Sequence, residues 1–153
     1  MPIYLPPDLV RAPTKTLAFT GAANLGAVAS PITIWTITGR MLLIYGTAFC
    51  TETVVSTAGT GTIALGNTSI VGRFIAAATM GAGTLALGDW WNQAGTPAGV
   101  SDDWVASAAG TAAYGPQALS ENIIVTVATN AITDGTLVFD CYYMPLTAGA
   151  SLS

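Results

Sequence analysis

Apolar and polar positions alternate with a period of two along most of the chain. The clearest run is TLVFDCYYM at 136–144. Leu137, Phe139, Cys141 and Tyr143 fall on one face of it, and Val138, Asp140, Tyr142 and Met144 on the other. NIIVTVA at 122–128 puts Ile123, Val125 and Val127 together in the same way. The linker TNAITDG ends in Asp134 and Gly135, a pair that tolerates positive φ in a tight turn. These features predict an antiparallel hairpin from the two runs, with Pro145 stopping the second.

Upstream, ITIWTIT at 32–38 sends Ile32, Ile34 and Thr36 one way and Thr33, Trp35 and Ile37 the other. After a break at Thr38 and Gly39, MLLIYGTAFCTETVV at 41–55 continues as strand, and Gly46 inside it predicts a bulge or bend. Two later stretches nearly repeat each other, GTGTIALGN at 59–67 and GAGTLALGD at 81–89. Ile63 and Leu65 share a face in the first, as Leu85 and Leu87 do in the second, so each reads as turn, short strand, turn. A phosphate loop would need a Lys after its last glycine, and a dinucleotide fingerprint would need a following helix; neither motif has these. Between them, SIVGRFIAAATM at 69–80 fits a strand or one short helical turn. The stretch 89–117 is loop-rich, with Ser101, Asp102 and Asp103 suited to cap a single helical turn.

Repeated strands and turns, with no long amphipathic helix, predict an all-β fold: an antiparallel β-sandwich, with a jelly roll as the size match. Two parts are expected. Residues 1–16 form an extended, Pro-rich N-terminal arm carrying Pro2, Pro6, Pro7 and Pro13, and residues 17–153 form a single sandwich domain. Ile3, Tyr4, Leu5, Leu9 and Val10 make the arm apolar, so it is expected to lie on its own domain or on a neighbour rather than trail in water.

Composition sharpens this picture. The chain is 52% hydrophobic and only 8% charged, against roughly 25% charged in an average soluble protein. Few charges leave few groups to keep a surface wet, so much of the exterior is expected to be covered by an oligomer, a lattice or a membrane. Thr, Gly, Ser and Asn interrupt the long uncharged spans, 16–39 and 53–72, and no stretch approaches the roughly 20 apolar residues of a spanning helix. The first residues lack a basic start followed by an apolar core, so no secretory signal is expected. Net charge is −4, and Arg11, Lys15, Arg40 and Arg73 are scattered, which argues against nucleic-acid binding.

The candidate chemistry is thin. With no histidine, Ser-His-Asp, Cys-His and histidine–metal sites are excluded. The carboxylates Asp8, Glu52, Asp89, Asp102, Asp103, Glu121, Asp134 and Asp140 mostly sit beside turn residues, and none looks tuned for proton transfer. The reading is therefore of a non-enzyme without catalytic residues, cofactor or metal. Cys50 and Cys141 read as buried small hydrophobes, with a bridge between them left open. Arg40 and Arg73 fit either pairing with a partner's carboxylates or simple solvation. Trp90, Trp91 and Trp104 lie near Asp89, Asp102 and Asp103 in the chain. Rings beside carboxylates suit a sugar; the preferred reading places the rings at a core edge or subunit interface, together with Pro6, Pro7 and Leu9 of the arm.

The succession ITIWTITGRMLLIYGTAFCTETVV, GTIALG, RFIAAATMGAGTLALGDWW and ENIIVTVATNAITDGTLVFDCYYMPLTAGA resembles a group of small β-rich structural proteins of tailed bacteriophages. The matching positions are 38–43, 83–87, 124–127, 132–136 and 143–146, and the resemblance covers about residues 30–150. It implies a virion component assembled in the host cytoplasm: a capsid decoration (cement) protein on the outer head surface. Such a protein would bind the major capsid protein and cluster as a homotrimer. The alternative is a tail or fibre module that binds host-surface glycans through the three tryptophans.

Overall fold

The computed structural model describes residues 9–81, 85–92 and 116–153. Its strands are β1 (Val10–Arg11), β2 (Lys15–Ala18), β3 (Ile32–Trp35), β4 (Ile37–Thr38), β5 (Met41–Ser56), β6 (Gly61–Gly66), β7 (Ile75–Met80), β8 (Trp90–Asn92), β9 (Gln117–Leu119), β10 (Ile123–Ala128), β11 (Ile132–Pro145) and β12 (Ser151–Leu152). The chain is all-β, and every strand pair is antiparallel.

The long strands β5 and β11 pair along nearly their whole length, from Ile132 opposite Ser56 to Pro145 opposite Met41. β1 and β2 lie end to end on the free side of β11, and β8 and β9 lie end to end on the free side of β5. A second sheet runs β3-β10-β6-β7, and β4 and β12 form a small ladder of their own. Counting β1 with β2, and β8 with β9, as single positions gives eight in chain order. The sheets then read 1-8-3-6 and 2-7-4-5, an order that is jelly-roll-like. Only the step from β6 to β7 is a hairpin within one sheet; each other step between these positions changes sheet.

One core serves both sheets. On β11, Leu137, Phe139, Cys141 and Tyr143 are buried, as their alternation predicts, while Val138, Asp140, Tyr142 and Met144 are half-buried on the outer face. Phe139 is the meeting point of the layers. Trp35 of the second sheet approaches its ring edge-on at 6.2 Å, and Trp91 does so from β8 at 6.5 Å.

Several expectations need correcting. The predicted hairpin of 122–128 and 136–144 does not form: β10 pairs with β3 and β6, and β11 pairs with β1, β2 and β5. Alternation fixes which face a side chain takes but not which strand lies alongside. Both runs have an apolar inner face, and those faces meet across the core. Asp134 and Gly135 lie inside β11, at a register shift against β5, so the pair that reads as a turn is a bulge. In the second glycine-bracketed motif Leu85 is buried, but Leu87 is exposed and no strand is present at 85–89. That segment instead follows the edge of β5 through Val54 N–H to Leu85 O (3.0 Å) and Cys50 N–H to Asp89 O (2.9 Å). At 32–38 the alternation breaks, because Ile34 is skipped in the register between β3 and β10, which lets both Ile34 and Trp35 turn inward, while Thr36 is exposed. The first glycine motif does form a strand, β6, with Ile63 and Leu65 buried, and the ambiguous 69–80 stretch forms strand only in its second half, as β7. The bulge expected near Gly46 falls at Ile44, skipped between Tyr142 opposite Tyr45 and Tyr143 opposite Leu43.

The N-terminal segment, described from Leu9, is laid along β11 through Val10, Arg11 and Lys15–Ala18. Ala12 N–H donates to Cys141 O (2.9 Å), and Trp35 Nε1–H donates to Pro13 O (2.8 Å). The 16/17 boundary expected between arm and domain therefore runs through β2. Pro6 and Pro7 lie outside the described residues.

Candidate functional site

Neighbouring residues on a strand point to opposite faces, and this separates the tryptophans. Trp91 is completely buried, whereas Trp90 is 39% exposed. Trp90 packs on Phe49 of β5, with ring centroids 4.9 Å apart. Trp104, Asp102 and Asp103 lie outside the described residues, as does the helical turn expected there. Asp89 is buried and serves the backbone, its Oδ2 accepting from Ala86 N–H at 2.8 Å. Leu9 is half-buried.

The outer face of β11, β5 and β8 gathers a different set around Trp90. Register places Tyr142 opposite Tyr45, Asp140 opposite Thr47, and Thr47 opposite Asn92. One row further, Val138 lies opposite Phe49, and Phe49 opposite Trp90. Tyr45, Thr47, Trp90, Asp140 and Tyr142 line a cleft of about 190 Å³. Thr47 forms its floor, its hydroxyl donating to Trp91 O at 3.1 Å. Burial pushes the Tyr45 phenol up, and a hydrogen bond with Thr47 partly offsets this.

Asp140 is held from the N-terminal segment. Its Oδ1 accepts from Arg11 Nε (3.2 Å), Arg11 Nη2 (2.5 Å) and Thr14 Oγ1 (3.0 Å). The Asp140 carboxylate in turn raises the Arg11 guanidinium's pKa, chiefly by accepting its hydrogen bonds. The sequence reading missed Tyr45, Thr47, Asp140 and Tyr142 as a set. Alternation assigns Asp140 and Tyr142 to one face, but only the β5–β11 register brings Tyr45 and Thr47 beside them.

Elsewhere polar groups hold loops. Glu121 accepts from Ser69 N–H (3.0 Å) and Ser69 Oγ–H (2.7 Å), and these bonds keep its carboxyl below the ordinary value. Arg73 donates to Gln117 Oε1 (2.9 Å) and Ala118 O (3.1 Å) and lies over the Phe74 ring, so its contacts are within the chain. Cys50 and Cys141 are free and buried. They stand opposite Leu137 and Gly46, four residues apart along the ladder. That is roughly 13 Å at strand rise, beyond the reach of a disulfide. Burial pushes the Cys141 thiol up to about 12, and raises that of Cys50 as well. Among the described residues no three His, Cys, Asp or Glu side chains gather as a metal site, and no helix is long and apolar enough to cross a membrane. A hollow of about 300 Å³ is lined by Val54, Val55 and Met80, with Ser56 and Gly59 beside them.

No protein-family model, curated protein or solved structure matches this chain.

Proposed function

We propose that this chain is a non-enzymatic structural protein of a tailed-phage virion, a decoration (cement) protein that binds the outer head surface. One observation carries the reading: a chain with 8% charged residues leaves Ile70, Val71, Leu87 and Leu146 each half exposed or more. Apolar side chains left in water gain by being covered, at about 25 cal/mol per Å² removed from solvent. Leu87 sits against the edge of β5 through its N–H to Thr53 Oγ1 (3.1 Å), and exposed Val55 follows on the same strand. The resemblance to phage structural proteins supplies the partner, the major capsid protein, and the homotrimeric arrangement.

A cement protein acts by linkage. It binds the assembled shell and not the separate subunits, so binding stabilises the shell by RT ln(1 + [L]/Kd), about 2.7 kcal/mol at a hundredfold excess over Kd. The test is to add the purified chain to undecorated heads of its phage. The expected result is regular density on the head surface and disassembly at a higher temperature. Binding confined to the tail, or no binding to either, overturns the proposal. Sedimentation of the free chain tests the trimer; a monomer at every concentration removes that part of it.

A further inference from the structure

We propose that the cleft on the outer face of β11, β5 and β8 is a carbohydrate-binding site that takes one neutral pyranose ring. The inference does not depend on the capsid reading, because it rests on five side chains and their geometry.

The cleft combines half-exposed rings with fixed polar groups. Trp90 is braced against Phe49 at 4.9 Å, so its orientation is set before a ligand arrives. Tyr45 and Tyr142 stand side by side on the neighbouring pair of strands. Such rings expose apolar faces that a sugar's C–H face can cover, while the sugar's hydroxyls need hydrogen-bond partners. Asp140 offers one. Its Oδ1 is committed to Arg11 and Thr14, whereas its Oδ2 takes no hydrogen bond from the described residues. The Tyr142 hydroxyl belongs to the same lining, and a phenol can act there as donor or acceptor.

Charge decides between two ligand classes. Aromatic rings around a lone carboxylate would suit an ammonium group. Here the Arg11 guanidinium already neutralises Asp140, so a cation would find no net attraction. A polyhydroxylated neutral ring can instead use the free carboxylate oxygen and the nearby guanidinium N–H groups together. Size points the same way. About 190 Å³ is below the roughly 300–1,000 Å³ of pockets for drug-sized ligands, and suits a single ring.

The experiment is saturation-transfer NMR on the full chain with methyl glycosides of hexoses, 6-deoxyhexoses, pentoses and N-acetylhexosamines, with tetramethylammonium as the cationic comparator. The expected result is saturation of ring C–H protons in at least one glycoside, with a Kd in the millimolar range, about 1–10 mM. Trp90→Ala and Tyr142→Ala are each expected to weaken binding about tenfold or more, as loss of a central aromatic contact does. Tyr142→Phe should retain the stacking and lose the hydroxyl's share. Both positions face outward, so unchanged thermal unfolding verifies that the variants are folded; Leu146→Ser should bind as the wild type does. The proposal is overturned if no glycoside in the panel binds. It is also overturned by binding that survives Trp90→Ala, by tetramethylammonium outcompeting every glycoside, or by self-association of the wild type that Trp90→Ala abolishes.

Discussion

Gly135 shows how much one position can carry. Its φ is +107°, and a Cβ there would lie 2.6 Å from Val54 Cα and 2.7 Å from Thr53 O. Backbone atoms cannot swing aside as a side-chain tip can. Gly135→Ala is therefore expected to destabilise the fold by about 2–4 kcal/mol, combining left-handed strain with overpacking, read as a lower urea midpoint. Cys141 makes the residue scale visible through pH. Its folded-state value lies near 12 against an ordinary 9.0, because burial disfavours the thiolate. Below about pH 9 both folded and unfolded chains keep this proton, and the thiol adds no pH dependence. Above that the unfolded chain releases it first, so stability falls by about 1.4 kcal/mol per pH unit until roughly pH 12. Urea titrations across that window should show the loss, and Cys141→Ala should reduce its slope. Raised values at Cys50 and Tyr45 push the same way and leave a residual slope in the variant. In the native state neither cysteine should react with a thiol reagent at neutral pH; rapid labelling before unfolding would contradict the burial described.

Among the elements, β11 pairs with three strands, β1, β2 and β5, and its centre is Phe139. That ring touches Trp35 from one sheet and Trp91 from the other. Phe139→Ala should cost about 3–5 kcal/mol in chemical unfolding, since two large neighbours cannot both collapse into the gap. Its inward position was readable from the alternation at 136–144 alone. So were the inward faces of β6 and β10, because a strand buried on one face leaves a period of two in the sequence. Pairing was not readable, and the failed hairpin shows why. The partner of β11 is β5, roughly ninety positions earlier, and no local feature of either strand names the other. Asp134 and Gly135 misled for the same reason: the residues that make a two-residue turn also make a bulge. The sugar-sized cleft inherits that limit. Trp90 was visible as a surface candidate, but its companions are cross-strand neighbours that only the register defines.

At the level of the whole molecule, the jelly-roll-like order is built mostly from strands distant in sequence, the β6–β7 hairpin being the local exception. Refolding is expected to take milliseconds to seconds, as for other sheets dominated by non-local pairing, and stopped-flow tryptophan fluorescence reads it directly. A submillisecond single phase would contradict this topology. Low charge adds to the effect, because exposed apolar strands have few like charges to keep them apart while they wait. The seating of β2 on β11 has a further consequence, for synthesis. Thr16 meets Val138, and Leu17 meets Leu137. A ribosome therefore finishes the earliest strands long before it makes the one that receives them. Chains stalled ahead of that strand should stay sensitive to protease and associate with chaperones, and only those extended past Pro145 should become resistant.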